Sequence, residues 1–241
     1  MSPRYTTLMA SLPPLGRLFE AREPAISRLK LQRRLSLLHP QDRRRLEGAN
    51  RILSQELVGY ERDAPSEQTA ISGRLDASLI HDAERFFRDE THPLLRQLVR
   101  QRLDLRTIVA ALRRRHRGDH EPPRGQAWGF GSLVSTIERH WNEPSLGLSG
   151  VYPWIAEAAV LLENDDLIGM ERQLFSLIWR ELDRLGQGHQ FNFNAVVIYL
   201  ARWNLVERWS SYDAGAASER FRQLIGSAFA DGHDSYTVLA S

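Results

Sequence analysis

His116 and His120 are four residues apart, the spacing that would place two imidazoles on one face of a helix as metal ligands. Gly118 lies between them and Pro122 follows, so a continuous helix is not expected here. No third ligand is evident nearby, and the chain has no cysteine, which excludes thiolate metal sites and cysteine nucleophiles. The sequence therefore predicts two loop histidines, no metal site and no cofactor.

Two carboxylates lie where apolar side chains are expected. At 100° per residue, Glu171 falls in the apolar stripe of a helix predicted over 166–185, and Glu207 in that of a helix predicted over 194–209. A buried carboxylate needs a cation or several donors. The two carboxylates form either a dyad that transfers protons or, as we prefer, two separate structural ion pairs with arginines of other helices. The candidate partners are Arg102, Arg106 and Arg208.

The strongest basic run is Arg113, Arg114, Arg115 and Arg117, a candidate basic interaction surface. Residues 1–125 hold 24 Lys+Arg and 16 Asp+Glu, a net charge of +8, whereas residues 126–241 hold 8 and 14, a net charge of −6. A nucleic-acid interface would combine basic runs with aromatic platforms, but five of the six tryptophans follow residue 130. Binding of nucleic acid by the basic half is kept as the alternative function.

Helical periodicity extends over nearly the whole chain, which predicts an all-α protein of two packed helical bundles. A short extended N-terminal segment is expected at 5–12, and a loop at 61–74. The Pro/Gly-rich segment 118–131 is predicted to be a linker between a basic bundle, 1–117, and an acidic bundle, 132–241. The predicted helices begin near Pro24, Pro40, Asp76, Leu94, Ser132, Pro153, Asp166, Asn194 and Asp213.

Hydrophobic residues make up 42% of the chain and charged residues 26%, as in ordinary globular proteins. Apolar runs such as Val196–Leu200 are far shorter than the ~20 residues that cross a bilayer. Pro13 and Pro14 interrupt the start of the chain, so no signal peptide is expected. The expected location is cytoplasmic, or peripheral to the inner membrane through a complex.

The segment Leu103–Arg115 resembles a repeated helix signature of the C (or d) subunit of V-type and archaeal rotary ATPases. Asp104 matches that signature, whereas Arg102 replaces the usual Glu and Thr107 the usual Asn. The wider layout is similar to an uncharacterised bacterial family encoded beside V-type ATP synthase genes, itself similar to that subunit. The pieces that carry this similarity are Tyr5–Pro13, Tyr152–Trp154, Met170–Arg172 and Tyr199–Trp209.

The resemblance implies an all-helical, non-enzymatic, protein-binding component or assembly factor of a V-type rotary ATPase, concerned with ion transport. The implied partners are the rotor and central-stalk proteins, because proteins of that class seat the stalk on the rotor ring. No small-molecule substrate is expected. Contact with the membrane is expected only indirectly, through the complex. The residues show no nucleophile elbow and no phosphate loop, so we predict that the chain is not an enzyme.

Overall fold

The computed structural model describes residues 3–54, 66–125 and 127–211, with the side chains of Pro3 and of 66–77 left out. These residues form nine helices and no strand, which confirms the predicted all-α fold. The helices are α1 (Pro3–Ala10), α2 (Arg28–Leu35), α3 (Pro40–Leu53), α4 (Ser66–Asp89), α5 (Pro93–His116), α6 (Leu133–Arg139), α7 (Ile155–Glu163), α8 (Leu167–Gly186) and α9 (residues 193–211).

The chain divides into two compact units at places other than the predicted linker. Unit 1 consists of Met1–Leu37 and His189–Ser241, and unit 2 of Leu38–Gly188. The segment 118–131 therefore lies inside unit 2 and does not separate the bundles 1–117 and 132–241. It contains glycines because the loop turns sharply, with positive φ at Gly118, Gly125 and Gly131, and not because it joins two bodies.

This loop is fixed to its surroundings by packing and hydrogen bonds. Trp128 is buried, and its ring meets that of Trp141 edge to face at 5.8 Å between centroids. The indole nitrogen of Trp141 donates to the carbonyl oxygen of Asp119 at 2.9 Å. The amide of Phe130 donates to Oγ1 of Thr107 on α5, also at 2.9 Å. Pro/Gly content alone cannot distinguish such an ordered loop from a linker.

In unit 1, the N-terminal segment is bound to helix α9 through side chains of α9. The Tyr199 hydroxyl donates to the Pro13 carbonyl oxygen, and the Trp203 indole donates to the Ile26 carbonyl oxygen, each at 2.8 Å. The buried apolar face of α9 includes Val196, Val197, Leu200, Trp203 and Val206. Pairing of the two ends of the chain satisfies polar groups that would otherwise be buried without partners.

The expected extended segment at 5–12 is wrong, because most of it lies in α1. Pro3 suits the first turn of a helix, and Leu8 is completely buried. The Ser11 hydroxyl donates to the Leu8 carbonyl oxygen at 2.7 Å and satisfies the helix end before Pro13. Burial of one face has outweighed the β-propensity of the threonine and tyrosine side chains, as is common for this weak preference.

Unit 2 is built around α5, which packs against α3, α6 and α7, while α7 also packs against α8. Pro93 opens α5 at a position that needs no backbone donor, and Gly118 at φ +97° follows its end. Eleven α5 residues are buried, more than one stripe provides, because α5 is covered on several sides. The segment Leu103–Arg115 thus belongs to the core helix of this unit.

Helix α4 begins earlier than the sequence predicted. The predicted loop at 61–74 is helical from Ser66 onward, where Ser66 and Glu67 are residues favoured in a first helical turn. Gly73 is tolerated within it at a cost of ~1 kcal/mol. The end of the helix predicted from Pro40 to Gly59 and the helix predicted from Asp213 lie outside the described residues.

Candidate interaction surfaces

The arginines predicted to form a basic surface at the end of α5 are mostly occupied within unit 2. Arg113, Arg114 and Arg115 are half-buried, and only Arg117 is exposed. The guanidinium of Arg114 lies 3.6 Å from the carboxylate of Asp119. The guanidinium of Arg115 donates to the Glu143 carbonyl oxygen at 2.6 Å. These arginines hold loops against the helix end, so the run offers much less free charge than its sequence indicates.

Glu171 is fully buried in α8, as the helical spacing predicted. Its neighbours along the helix, Met170, Leu174 and Phe175, are buried as well. The carboxylate therefore lies in the apolar face of α8 within unit 2. Its pairing with Arg102 or Arg106 stays a prediction.

Glu207 in α9 is half-buried, with its side chain 26% exposed, and its partner is Arg28 of α2. Nε of Arg28 donates to Oε1 of Glu207 at 3.1 Å, and Nη2 contacts Oε2, so the pair is bidentate. The Arg28 guanidinium also lies over the Trp203 ring, 5.6 Å from its centroid. Glu207 and Glu171 lie in different units, each described by itself. Glu207 thus forms an ion pair with an arginine of another helix, 179 residues away, but its predicted burial is wrong, and Arg28 was not among the candidate partners.

Helix α2 carries a basic and apolar surface that the sequence analysis did not single out. Leu29 and Leu37 are 60% and 43% exposed. Lys30 and Arg33 lie between them and are exposed. We call these four side chains the α2 surface. A signal was present in the sequence, since residues 24–41 contain no Asp or Glu.

The turn between α7 and α8 carries a second exposed apolar surface, with acidic neighbours. Val160 is 53% exposed and Ile168 45% exposed, while Glu163 and Asp165, which come between them in the sequence, are also exposed. We call these four side chains the α7–α8 surface. Asp166 caps α8 by accepting from the Gly169 amide at 2.8 Å, which fixes the turn.

A polar contact inside unit 2 joins α5 to the segment before α7. The Tyr152 hydroxyl donates to Oδ2 of Asp104 at 3.3 Å. Burial raises the pKa of Asp104, an effect that the Tyr152 hydrogen bond and the charge of Arg100 oppose. Burial, together with the neighbouring carboxylate, raises the pKa of Tyr152 to about 12. Asp104 is therefore a half-buried acid that positions the start of α7.

Glu181 on α8 joins that helix to α5. It accepts from Nε2 of Gln101 at 2.6 Å and from Nε of Arg184 at 2.8 Å. The hydrogen bond from Arg184 is the main cause that lowers the pKa of Glu181; burial acts in the opposite direction and is weaker. The cluster is therefore most stable with Glu181 ionised.

The prediction of two loop histidines is wrong for His116, which is the last residue of α5, while His120 lies in the loop that follows. Nε2 of His116 is 3.4 Å from Oδ1 of Asp165, at the α7–α8 turn. His120 is exposed. Within the part of the chain that the structure describes, no group of three or more His, Asp or Glu could hold a metal ion. No described helix has the length and apolar character to cross a membrane.

Comparison with known proteins identifies a family for most of the chain. Residues 71–231 match the model of a family described as Protein of unknown function (DUF2764). Comparison with curated proteins and with solved structures gives no match. The matched residues are more than half of the 241-residue sequence and include α5, α7, α8 and α9. This chain therefore belongs to the DUF2764 family.

Proposed function

We propose that this chain is a non-enzymatic, protein-binding component or accessory factor of a V-type rotary ATPase. Two features support the proposal: the resemblance of Leu103–Arg115 to the C (or d) subunit of rotary ATPases, and the α7–α8 surface. The segment is a buried core helix, so a shared pattern there reflects shared packing and leaves the contacts with partners to other elements.

The α7–α8 surface is the observation that carries the binding role. Val160 and Ile168 expose about half of their side chains at a capped helical turn, and Glu163 and Asp165 lie beside them. An apolar centre with charged surroundings is the usual arrangement of a protein interface. Its partner should present an apolar patch with a basic edge.

The proposal predicts how ionic strength affects the complex. Exposed charges at an interface edge act mainly by steering the encounter of two proteins. Added salt should therefore slow association of this chain with its partner more than it speeds dissociation, because Glu163 and Asp165 are exposed and screened.

The direct test is purification of the native protein at moderate salt, with mass spectrometry of the proteins that remain bound. We expect the rotor and central-stalk proteins of the V-type ATPase, recovered in reduced amount by the Val160→Ser/Ile168→Ser variant. Val151→Ser is the control, since Val151 is exposed but lies in the turn before α7, outside the α7–α8 surface. Recovery of no ATPase protein, together with normal ATPase assembly in a deletion strain, would refute the proposal.

A further inference from the structure

The α2 surface combines cations and apolar side chains on one fixed helix of unit 1. Leu29, Lys30, Arg33 and Leu37 are all exposed, and residues 24–41 include no acid that would neutralise them. Positions 29, 33 and 37 are four residues apart, so they follow one side of the helix and its terminal turn. The surface is therefore a row of alternating apolar and cationic groups.

The cations of this row are available to a partner. Within the described residues, the side chains of Lys30 and Arg33 make no hydrogen bond and no ion pair. Arg22, in the preceding segment, is exposed and equally without a partner there. This differs from the arginines at the end of α5, which hold loops of unit 2.

The opposite side of α2 is anchored, which fixes the direction of the row. Leu31 is buried, and Arg28 pairs with Glu207 of α9. The guanidinium of Arg34 donates to the carbonyl oxygen of Ser11 at 3.0 Å. The row therefore does not need to be ordered when it binds, which lowers the entropic cost of docking.

We propose that the α2 surface docks on an anionic phospholipid membrane surface. Leu29 and Arg33 are about 6 Å apart along the helix axis, four residues at 1.5 Å each, and Leu37 follows two residues after the helix ends, so the cations Lys30 and Arg33 lie between the two leucines in the chain. Protein interfaces gather apolar side chains in the centre and place charges at the rim. A lipid surface can accept apolar and cationic side chains that alternate along one face. Leucine side chains enter the boundary between headgroups and acyl chains, while Lys and Arg side chains reach the phosphates.

Nucleic acid fits the row less well, because phosphate contacts would leave both leucines exposed to water. Docking on lipid is independent of the proposed binding to ATPase proteins, which uses the α7–α8 surface of the other unit. Each basic residue near an anionic bilayer strengthens binding by a factor of about 5. Lys30 and Arg33 together should therefore contribute about 25-fold.

The test is co-sedimentation of the full chain with vesicles of phosphatidylcholine containing phosphatidylglycerol, at low and at physiological salt. We expect binding that weakens with salt and no binding to pure phosphatidylcholine vesicles. Lys30→Gln/Arg33→Gln should weaken binding about 25-fold. Leu29→Ser should weaken binding without changing its salt dependence. The control Arg117→Gln/Arg139→Gln removes the same charge from exposed sites in unit 2 and should leave binding near that of the wild type.

Three outcomes would overturn the proposal. The first is absence of binding to anionic vesicles at low salt. The second is an equal loss in both double variants, which would show that only net charge matters. The third is binding of a short DNA duplex that is stronger than vesicle binding and that Lys30→Gln/Arg33→Gln abolishes, which would assign the surface to nucleic acid. Circular dichroism of each variant shows that it is folded.

Discussion

Substitution of Gly129 by alanine tests whether the loop before α6 is part of the unit 2 core. A methyl group added there would lie 2.6 Å from Cγ2 of Thr107 and 3.0 Å from Cγ2 of Val134. Thr107 is buried, and its hydroxyl oxygen accepts from the Phe130 amide, so rotation of its side chain would break that hydrogen bond. Either the loop shifts or the bond is lost.

The expected cost follows from these two routes. Overpacking of a core costs ~1–3 kcal/mol, and loss of a buried hydrogen bond costs a similar ~1–3 kcal/mol. We therefore expect Gly129→Ala to lower the free energy of unfolding by about 2–3 kcal/mol. Urea unfolding followed by tryptophan fluorescence measures this, because Trp128 lies in the loop itself.

Two further variants make the result specific. Thr107→Ser removes the carbon closest to the added methyl group and keeps the hydroxyl oxygen that binds the Phe130 amide. In this background, Gly129→Ala should lower the free energy of unfolding by about 1 kcal/mol less than in the wild type, or by still less, because the steric clash is gone. Gly48→Ala is the control, since Gly48 lies in α3 with nothing within 4 Å of an added methyl group, and should stabilise the protein by ~0.5–1 kcal/mol. If Gly129→Ala lowered the free energy of unfolding equally in both backgrounds, or raised it, the loop before α6 would not be packed into the unit 2 core as described.

Three more predictions concern charged groups. Because the pKa of Asp104 is raised in the folded state, the side chain contributes to stability below its ordinary pKa of 3.8, and this contribution is lost as pH rises through the folded pKa. Asp104→Asn, which keeps an acceptor for Tyr152, should therefore raise the free energy of unfolding at pH 7 and leave it nearly unchanged at pH 3. The opposite order in urea titrations would contradict this. The pKa of Glu181 is lowered in the folded state, so its contribution to stability is present above its ordinary pKa of 4.5 and lost as pH falls through the folded pKa. Glu181→Gln should therefore lower the free energy of unfolding at pH 7 but not at pH 2. An equal loss of stability at both pH values would refute the ion-pair role. A double-mutant cycle of Arg28→Ala and Glu207→Ala should give a coupling free energy of about 1 kcal/mol between the two side chains, because the pair is half-exposed. A value indistinguishable from zero would show that the bidentate contact does not stabilise the protein.

The helices could be predicted from the sequence because apolar spacing and proline starts agree, as at Pro40 and Pro93. Burial of Glu171 followed from the same spacing, since α8 has a single buried face. The division into units could not be predicted, because it depends on contacts between the two ends of the chain, such as Tyr199 with Pro13.

The interaction surfaces were harder to predict for a related reason. Leu31 and Leu35 are four residues apart and share one face of α2, whereas Leu29 lies two residues before Leu31, on the other side of the helix, and is exposed. Arg113 to Arg115 look free in sequence, but carbonyl and carboxylate partners from distant loops occupy Arg114 and Arg115. An acid-free basic stretch was the better guide to exposed charge than a run of consecutive arginines.

The central proposal is that this chain binds the rotor of a V-type ATPase through the α7–α8 surface. It is tested most directly by titrating the purified chain against the purified rotor and central stalk and measuring binding kinetics. We predict saturable binding, weakened about tenfold by Val160→Ser/Ile168→Ser through loss of half-exposed apolar area. Val151→Ser should bind like the wild type. Absence of binding, or an equal loss in both variants, would contradict the account.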